Sequence, residues 1–156
     1  MNIKSLDKLI NEISLNLDNC VNIVSSYDSN EWMDYYPNDE EFNNHKNSFG
    51  YYKKLIHIND QFEMYLIFWS PFASSHIHDH PDKGCVLKLL SGKLIEEVYI
   101  HKNNIIKLDH TNIININNIN NRFGNEIVHK IINLENISVS LHLYFPPKFK
   151  QNIFKI

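Results

Sequence analysis

Apolar residues near the start of the chain recur at three- and four-residue steps: Leu6, Leu9, Ile10, Ile13 and Leu17. That spacing gathers them on one side of an α-helix and predicts a surface helix packed on something larger. Ser5 or Asp7 stands where a cap would start it. Ser29 to Asp34 reads as a second short helix, with Ser29 as cap and Trp32 as anchor. Pro37-Asn38-Asp39-Glu40-Glu41 reads as a turn that opens a further helical turn, and Cys20 as a buried helix residue.

Beyond residue 50 the texture changes to short apolar runs broken by turn residues: Phe62 to Trp69, Cys85 to Leu90, Leu94 to His101 and Val139 to Tyr144. Leu90-Ser91-Gly92-Lys93 looks like a hairpin turn. The tract from Thr111 to Asn121 is low in complexity, but its isoleucines partly alternate with asparagine and suit a strand and a loop. No strand alternates with a long helix, which argues against a parallel α/β sheet. The pattern is that of a mainly β chain, a helical cap on an antiparallel β-barrel, with no repeat and no linker. We expect residues 1–156 to form one domain, with about 1–45 as the cap and about 46–150 as the barrel.

Composition narrows the function more than the fold. A net charge of −3 and a pI near 6.3 argue against a nucleic-acid binder, which carries clustered basic excess. No apolar run approaches the roughly 20 residues of a membrane span. The segment after Met1-Asn2-Ile3-Lys4 is amphipathic, unlike a signal core. Two cysteines, Cys20 and Cys85, make no disulfide framework, and a reducing cytoplasmic setting is expected. Asn, Ile and Lys abound while Arg122 is the single arginine, a bias that fits A- and T-rich codons.

The chemistry concentrates in Ser75-His76-Ile77-His78-Asp79-His80. His78 and His80 are two apart, so on a strand both rings point to one face and can converge on one ion. Two imidazoles leave much of a coordination sphere open for another ligand, substrate and O2. A histidine-rich surface loop is the plainer reading of this stretch alone. Ser140, His142 and Tyr144 alternate along a strand and share a side. They read either as chemistry or as polar residues plugging a barrel wall. Ile67 and Trp69 read as core or as pocket wall. His45, His57, His76, His101 and His110 read as surface residues, with support of a neighbouring ligand as a second reading for His76.

Four residues separate His80 from Cys85, and six more precede Gly92. This resembles the first motif of the cupin superfamily, with Cys85 where an acidic ligand is usual. His129-Lys130-Ile131-Ile132-Asn133 is similar to its second motif. The string from Ser75 through Gly92, together with Val139-Ser140-Leu141-His142-Leu143-Tyr144-Phe145-Pro146-Pro147, resembles cysteine dioxygenase type I. The resemblance spans roughly residues 45 to 150 and is thin before that. It implies a small cupin barrel and a non-haem Fe(2+) centre held by His78, His80 and His129. It also implies Ser140, His142 and Tyr144 as a relay aimed at the substrate, and a Phe145–Pro146 peptide that is cis. In animal members the tyrosine and cysteine matching Tyr144 and Cys85 are joined by a thioether, and this chain keeps both partners.

The substrate clamp departs from the family. Tyr51 and Lys53 occupy positions where members carry Tyr and Arg, upstream of the first barrel strands. Lysine keeps the charge but loses the planar fork that grips a carboxylate at two points. With the resemblance, the expectation is a monomeric thiol dioxygenase that oxidises L-cysteine to its sulfinate with O2. Three readings compete. One is a dioxygenase of another small thiol such as 3-mercaptopropionate, against which Cys85 argues. Another is a non-catalytic metal-binding cupin. A trio of histidines alone is equally consistent with a zinc hydrolase.

Overall fold

A computed structural model describes residues 2–156. Three helices come first: α1 (Leu6–Leu15), α2 (Cys20–Ser25) and α3 (Asp39–His45). Ten strands follow: β1 (Tyr51–Ile58), β2 (Glu63–Trp69), β3 (Ile77–His78), β4 (Cys85–Ser91) and β5 (Leu94–Lys102), then β6 (Ile105–Ile114), β7 (Ile119–Arg122), β8 (Ile127–Asn133), β9 (Ser138–Tyr144) and β10 (Ile153–Phe154). They form two five-stranded sheets with orders β1-β2-β9-β4-β7 and β10-β3-β8-β5-β6. Every pairing of strands within them is antiparallel.

The stripe of α1 behaves as its spacing predicts. Leu6, Leu9 and Ile13 are buried, and the Ser5 side chain accepts from the Lys8 amide as N-cap. The segment at Ser29 is a 3₁₀ turn over Glu31–Tyr35 that begins one residue later than expected. Asn30 is its N-cap residue, without a side-chain bond. Ser29 Oγ still accepts from the Glu31 amide, and Trp32 is buried. Asn38 Oδ1 accepts from Glu41 and caps α3.

The first sheet is covered on both faces. Met64, Leu66 and Phe68 of β2, Val86 of β4 and Val139, Leu141 and Leu143 of β9 face the helices and join their apolar cluster. Ile67 and Trp69, with Leu87 and Leu89, turn the other way and pack with Leu94, Ile114 and Ile131 between the sheets. Strands buried on both sides lose the usual alternation of buried and exposed positions. This is why β2 and most of β4 read as near-continuous apolar runs in the sequence, whereas β9 alternates because its inner face is polar.

Lys88 is the exception on the helix-facing side. Its side chain is buried, and its ammonium donates to the carbonyls of Ser25 at 2.9 Å and Tyr27 at 2.5 Å. The Ser25 carbonyl ends α2 and Tyr27 follows two residues on, so a cation there meets carbonyls at the C-terminal end of the helix.

Three expectations change. Tyr51 and Lys53 do not precede the barrel; they lie in β1, paired with Trp69 and Ile67. Leu90-Ser91-Gly92-Lys93 is not a hairpin turn, because β4 and β5 belong to different sheets and this segment carries the chain between them. Gly92 makes the crossing with φ of 85°, and a Cβ there would lie 2.1 Å from Ser138 Oγ. Strand structure also extends past residue 150, where Ile153 and Phe154 pair with β3. The Asn- and Ile-rich tract is ordered, as expected, running from the end of β6 through a turn into β7.

Candidate metal centre

Strand pairing assembles the histidines. His78 on β3 lies opposite His129 on β8, and His80 follows just beyond the end of β3. All three are buried, and one ring nitrogen from each lies within 4.8 Å of the others. His129 Nε2 is 3.0 Å from His80 Nε2 and 3.1 Å from His78 Nε2.

The outer nitrogens say which atoms face inward. His129 Nδ1 is 2.7 Å from Glu96 Oε1, and His78 Nδ1 is 2.8 Å from the His76 carbonyl. Both partners are acceptors, so both Nδ1 atoms carry the proton and both Nε2 atoms present lone pairs. Two lone pairs facing each other at 3.1 Å repel unless a cation lies between them. The donor set therefore fits a metal ion, and it is all imidazole, a ligand suited to iron as well as zinc. His80 Nδ1 is buried without a hydrogen-bond partner.

Electrostatics keeps these rings neutral. Burial, then the nearby His129, pushes His78 down to about 3, and the same causes hold His80 well below its ordinary value. Burial also lowers His129, against the opposing pull of Glu96. Burial alone would raise Glu96, but hydrogen bonds from His129 and Arg122 outweigh it and keep the carboxylate well below its usual range.

The wall opposite is built on β9, β4 and β1. Trp69 Nε1 donates to Ser140 Oγ at 2.9 Å, Ser140 Oγ lies 2.8 Å from His142 Nε2, and His142 Nδ1 lies 3.4 Å from Tyr144 Oη. An indole can only donate. An unbroken relay then has Ser140 donating to His142 Nε2 and His142 Nδ1–H directed at Tyr144 Oη, which leaves the phenol proton free for the pocket. Burial, then Lys53, holds His142 well below its ordinary pKa, and burial raises Tyr144.

Cys85 is the direct cross-strand partner of Tyr144 and is a free thiol. Burial pushes it up to about 12, against opposing contributions from Lys53 and the Tyr144 hydroxyl. The Lys53 ammonium sits 4.0 Å from the Tyr65 ring centre and 4.2 Å from that of Tyr144, on an otherwise exposed residue. Tyr51 packs on Trp69 with ring centres 4.8 Å apart. The Phe145–Pro146 peptide is cis, as expected.

One pocket is lined by His78, His80, His129, His142, Tyr144 and Cys85, with Tyr51 and Lys53 also on its wall. Ile67 and Trp69 line it too, so they serve as core between the sheets and as pocket wall at once. Sequence reasoning missed Glu96, Asn120, Arg122 and Gln151. The last three also line the pocket, and Glu96 is fully buried behind His129. An acidic residue between Leu94 and Val98, at an inward position of β5, was the available signal for Glu96.

The model of the family described as cysteine dioxygenase type I matches residues 2–155. The chain belongs to the cysteine dioxygenase type I family. Within it, the chain is 30% identical to a cysteine dioxygenase type 1 of Danio rerio, covering 93% of this chain and 73% of the relative. The cysteine dioxygenase type 1 of Homo sapiens is 28% identical, with 93% and 72% covered. Among solved structures, a cupin of the RmlC-like kind from Shewanella frigidimarina aligns with a TM-score of 0.52 at 12% identity, over 67% of this chain and 83% of that one. That likeness bears on the fold alone. It agrees with the two antiparallel sheets and gives this cysteine dioxygenase family member a cupin-like fold.

Acidification tests the buried histidines of this cysteine dioxygenase family member. In the unfolded chain they titrate near 6.5, whereas the folded chain keeps His78 and His142 neutral well below that. Below about pH 6.5 the unfolded state binds more protons, so stability falls as pH drops. We expect the melting temperature of the metal-free chain to decline steadily from pH 7 to pH 5. A flat profile over that range would show that the histidines are not held neutral.

Proposed function

We propose that this chain oxidises the sulfur of L-cysteine to cysteine sulfinate, with His78, His80 and His129 holding iron(II). The three inward-facing Nε2 atoms, two of them with their Nδ1 protons engaged elsewhere, carry this reading. Both oxygens of O2 go to the sulfur and the thiol proton is released: RSH + O2 gives RSO2⁻ and H⁺. Bound at this site, iron supplies a Lewis-acidic, redox-active centre that favours the thiolate and lets it meet O2.

The protein groups bind, orient and move protons. Lys53, at the pocket wall, offers its ammonium to the substrate carboxylate, a charge-assisted bond with one point of attachment where an arginine would give two. Tyr51 packs against Trp69 and shapes the same side. Tyr144 Oη donates a hydrogen bond into the pocket, its own oxygen oriented by His142 Nδ1–H, and Ser140 keeps His142 in that tautomer. Leu87, Ile67 and Ile131 line the cavity and limit water. Cys85 stands opposite Tyr144, where a thioether between them needs no change of strand register.

No helix among the described residues is long and apolar enough to cross a membrane. We read the chain as a cytoplasmic monomer, one domain of helical cap and barrel, whose partners are a small thiol and O2 and not a nucleic acid or a membrane. Metal analysis of the purified chain, followed by O2 consumption with a panel of small thiols, tests the proposal. We expect bound iron, nitrogen–metal distances of about 2.0–2.3 Å, and fastest turnover with L-cysteine. Preference for 3-mercaptopropionate would move the assignment within the class, and no uptake of O2 with any thiol would overturn it.

A further inference from the structure

Arg122 is the single arginine of the chain, and it spends its fork on a buried carboxylate. Its Nε donates to Glu96 Oε1 at 3.0 Å and a terminal nitrogen donates to Glu96 Oε2 at 2.8 Å. Asn112 Nδ2 adds a third donor to Oε2 at 3.1 Å, and His129 Nδ1–H completes the set at 2.7 Å from Oε1. Glu96 comes from β5 and Arg122 from β7, so this ion pair ties one sheet to the other beside the pocket.

A fully buried carboxylate is costly unless its charge is paired and its oxygens are hydrogen-bonded. His129 cannot supply the charge while it remains a neutral ligand. The Lys nearest the pocket, Lys53, lies on β1 at the far edge of the first sheet from β7. Arg122 is thus the cation that lets Glu96 stay an anion in this place. The three histidines are consequently held unequally: His129 by a carboxylate, His78 by a neutral carbonyl and His80 by no protein group at Nδ1. A ligand whose outer N–H meets a carboxylate is oriented more firmly and is the more basic donor.

We propose that Arg122 is a positioning residue for the metal centre, acting through Glu96 on His129. This rests on the reading of His78, His80 and His129 as metal ligands. Replacing Arg122 removes the compensating charge and the two hydrogen bonds that hold Glu96 in place, so the carboxylate is no longer fixed against His129 Nδ1–H and the ring is held less firmly.

The test is metal affinity, read without turnover. Cobalt(II) is titrated into the full-length chain against a competing chelator, with circular dichroism as a check that each variant is folded. Arg122→Leu is expected to bind cobalt about 10–100-fold more weakly, the loss usual for an outer partner of a ligating histidine. Glu96→Gln is expected to lose a similar factor. The double variant Arg122→Leu/Glu96→Gln should bind no more weakly than Glu96→Gln alone, because a residue that acts through Glu96 adds no further loss once Glu96 is changed. Arg122→Lys, which restores the charge, should recover part of the loss. Undiminished affinity in folded Arg122→Leu, or losses that simply multiply in the double variant, would overturn the proposal. If the unaltered chain fails to bind cobalt at all, the metal-centre reading falls and this inference with it.

Discussion

Replacing His129 by alanine is expected to remove the iron proposed for this site and to lower sulfinate formation far beyond the roughly 10–100-fold that losing an outer hydrogen-bond partner costs. His129 sits between the other two rings, its Nε2 within 3.1 Å of both. Removing it leaves two imidazoles, and it also strands Glu96, whose Oε1 loses a donor at 2.7 Å. His78→Ala and His80→Ala should behave alike in metal content, though not in stability. His80 Nδ1 has no protein partner, so its removal orphans nothing. The measurement is iron per chain by elemental analysis beside sulfinate yield. A folded His129→Ala chain that retains one iron and its activity would remove His129 from the metal site.

Lys53→Met should raise KM for L-cysteine by about tenfold, the lower end of the roughly 1.5–3 kcal/mol that a hydrogen bond to a charged group contributes. The lower end applies because a single ammonium holds the carboxylate at one point where a guanidinium would hold it at two. Methionine keeps the length and the packing against Tyr65 and Tyr144 while removing the charge. Cysteamine lacks a carboxylate. It should be a poor substrate of the unaltered chain and should be little affected by the substitution, so the gap between the two thiols narrows. Lys53→Arg should keep or improve turnover of cysteine, since the guanidinium restores two-point contact. An unchanged KM in Lys53→Met, or cysteamine as the better substrate from the outset, would refute the clamp. The dioxygenase chemistry would stand, but the choice of L-cysteine would not.

Much of this was legible because local signals and tertiary roles coincided. The α1 stripe is a surface helix because its apolar residues cover the sheet, and Ser5 caps it through an ordinary side-chain bond. His78 and His80 could be paired from their spacing alone. Adding His129 to them took the resemblance of two separated motifs, since nothing local ties β8 to β3. β1 escaped notice because Tyr51–Ile58 is only half-buried and carries two lysines, which dilutes its alternation. α2 is six residues long, too short for periodicity to declare itself. The bond between Glu96 and Arg122 was out of reach altogether. The two are 26 residues apart on different sheets, and each taken alone looks like an ordinary charge on a strand.

β9 presents His142 and Tyr144 to the pocket, with Ser140 on the same face bonded to His142, and Val139, Leu141 and Leu143 to the helices. Because a strand repeats every two residues, a slip of one position exchanges these sets completely. The slipped strand would line the cavity with aliphatic groups and drive two hydroxyls and an imidazole into the oily layer under α1 and α2. No intermediate arrangement holds half of the array in partial working order. The register of β9 therefore decides outright between a polar and an aliphatic pocket wall.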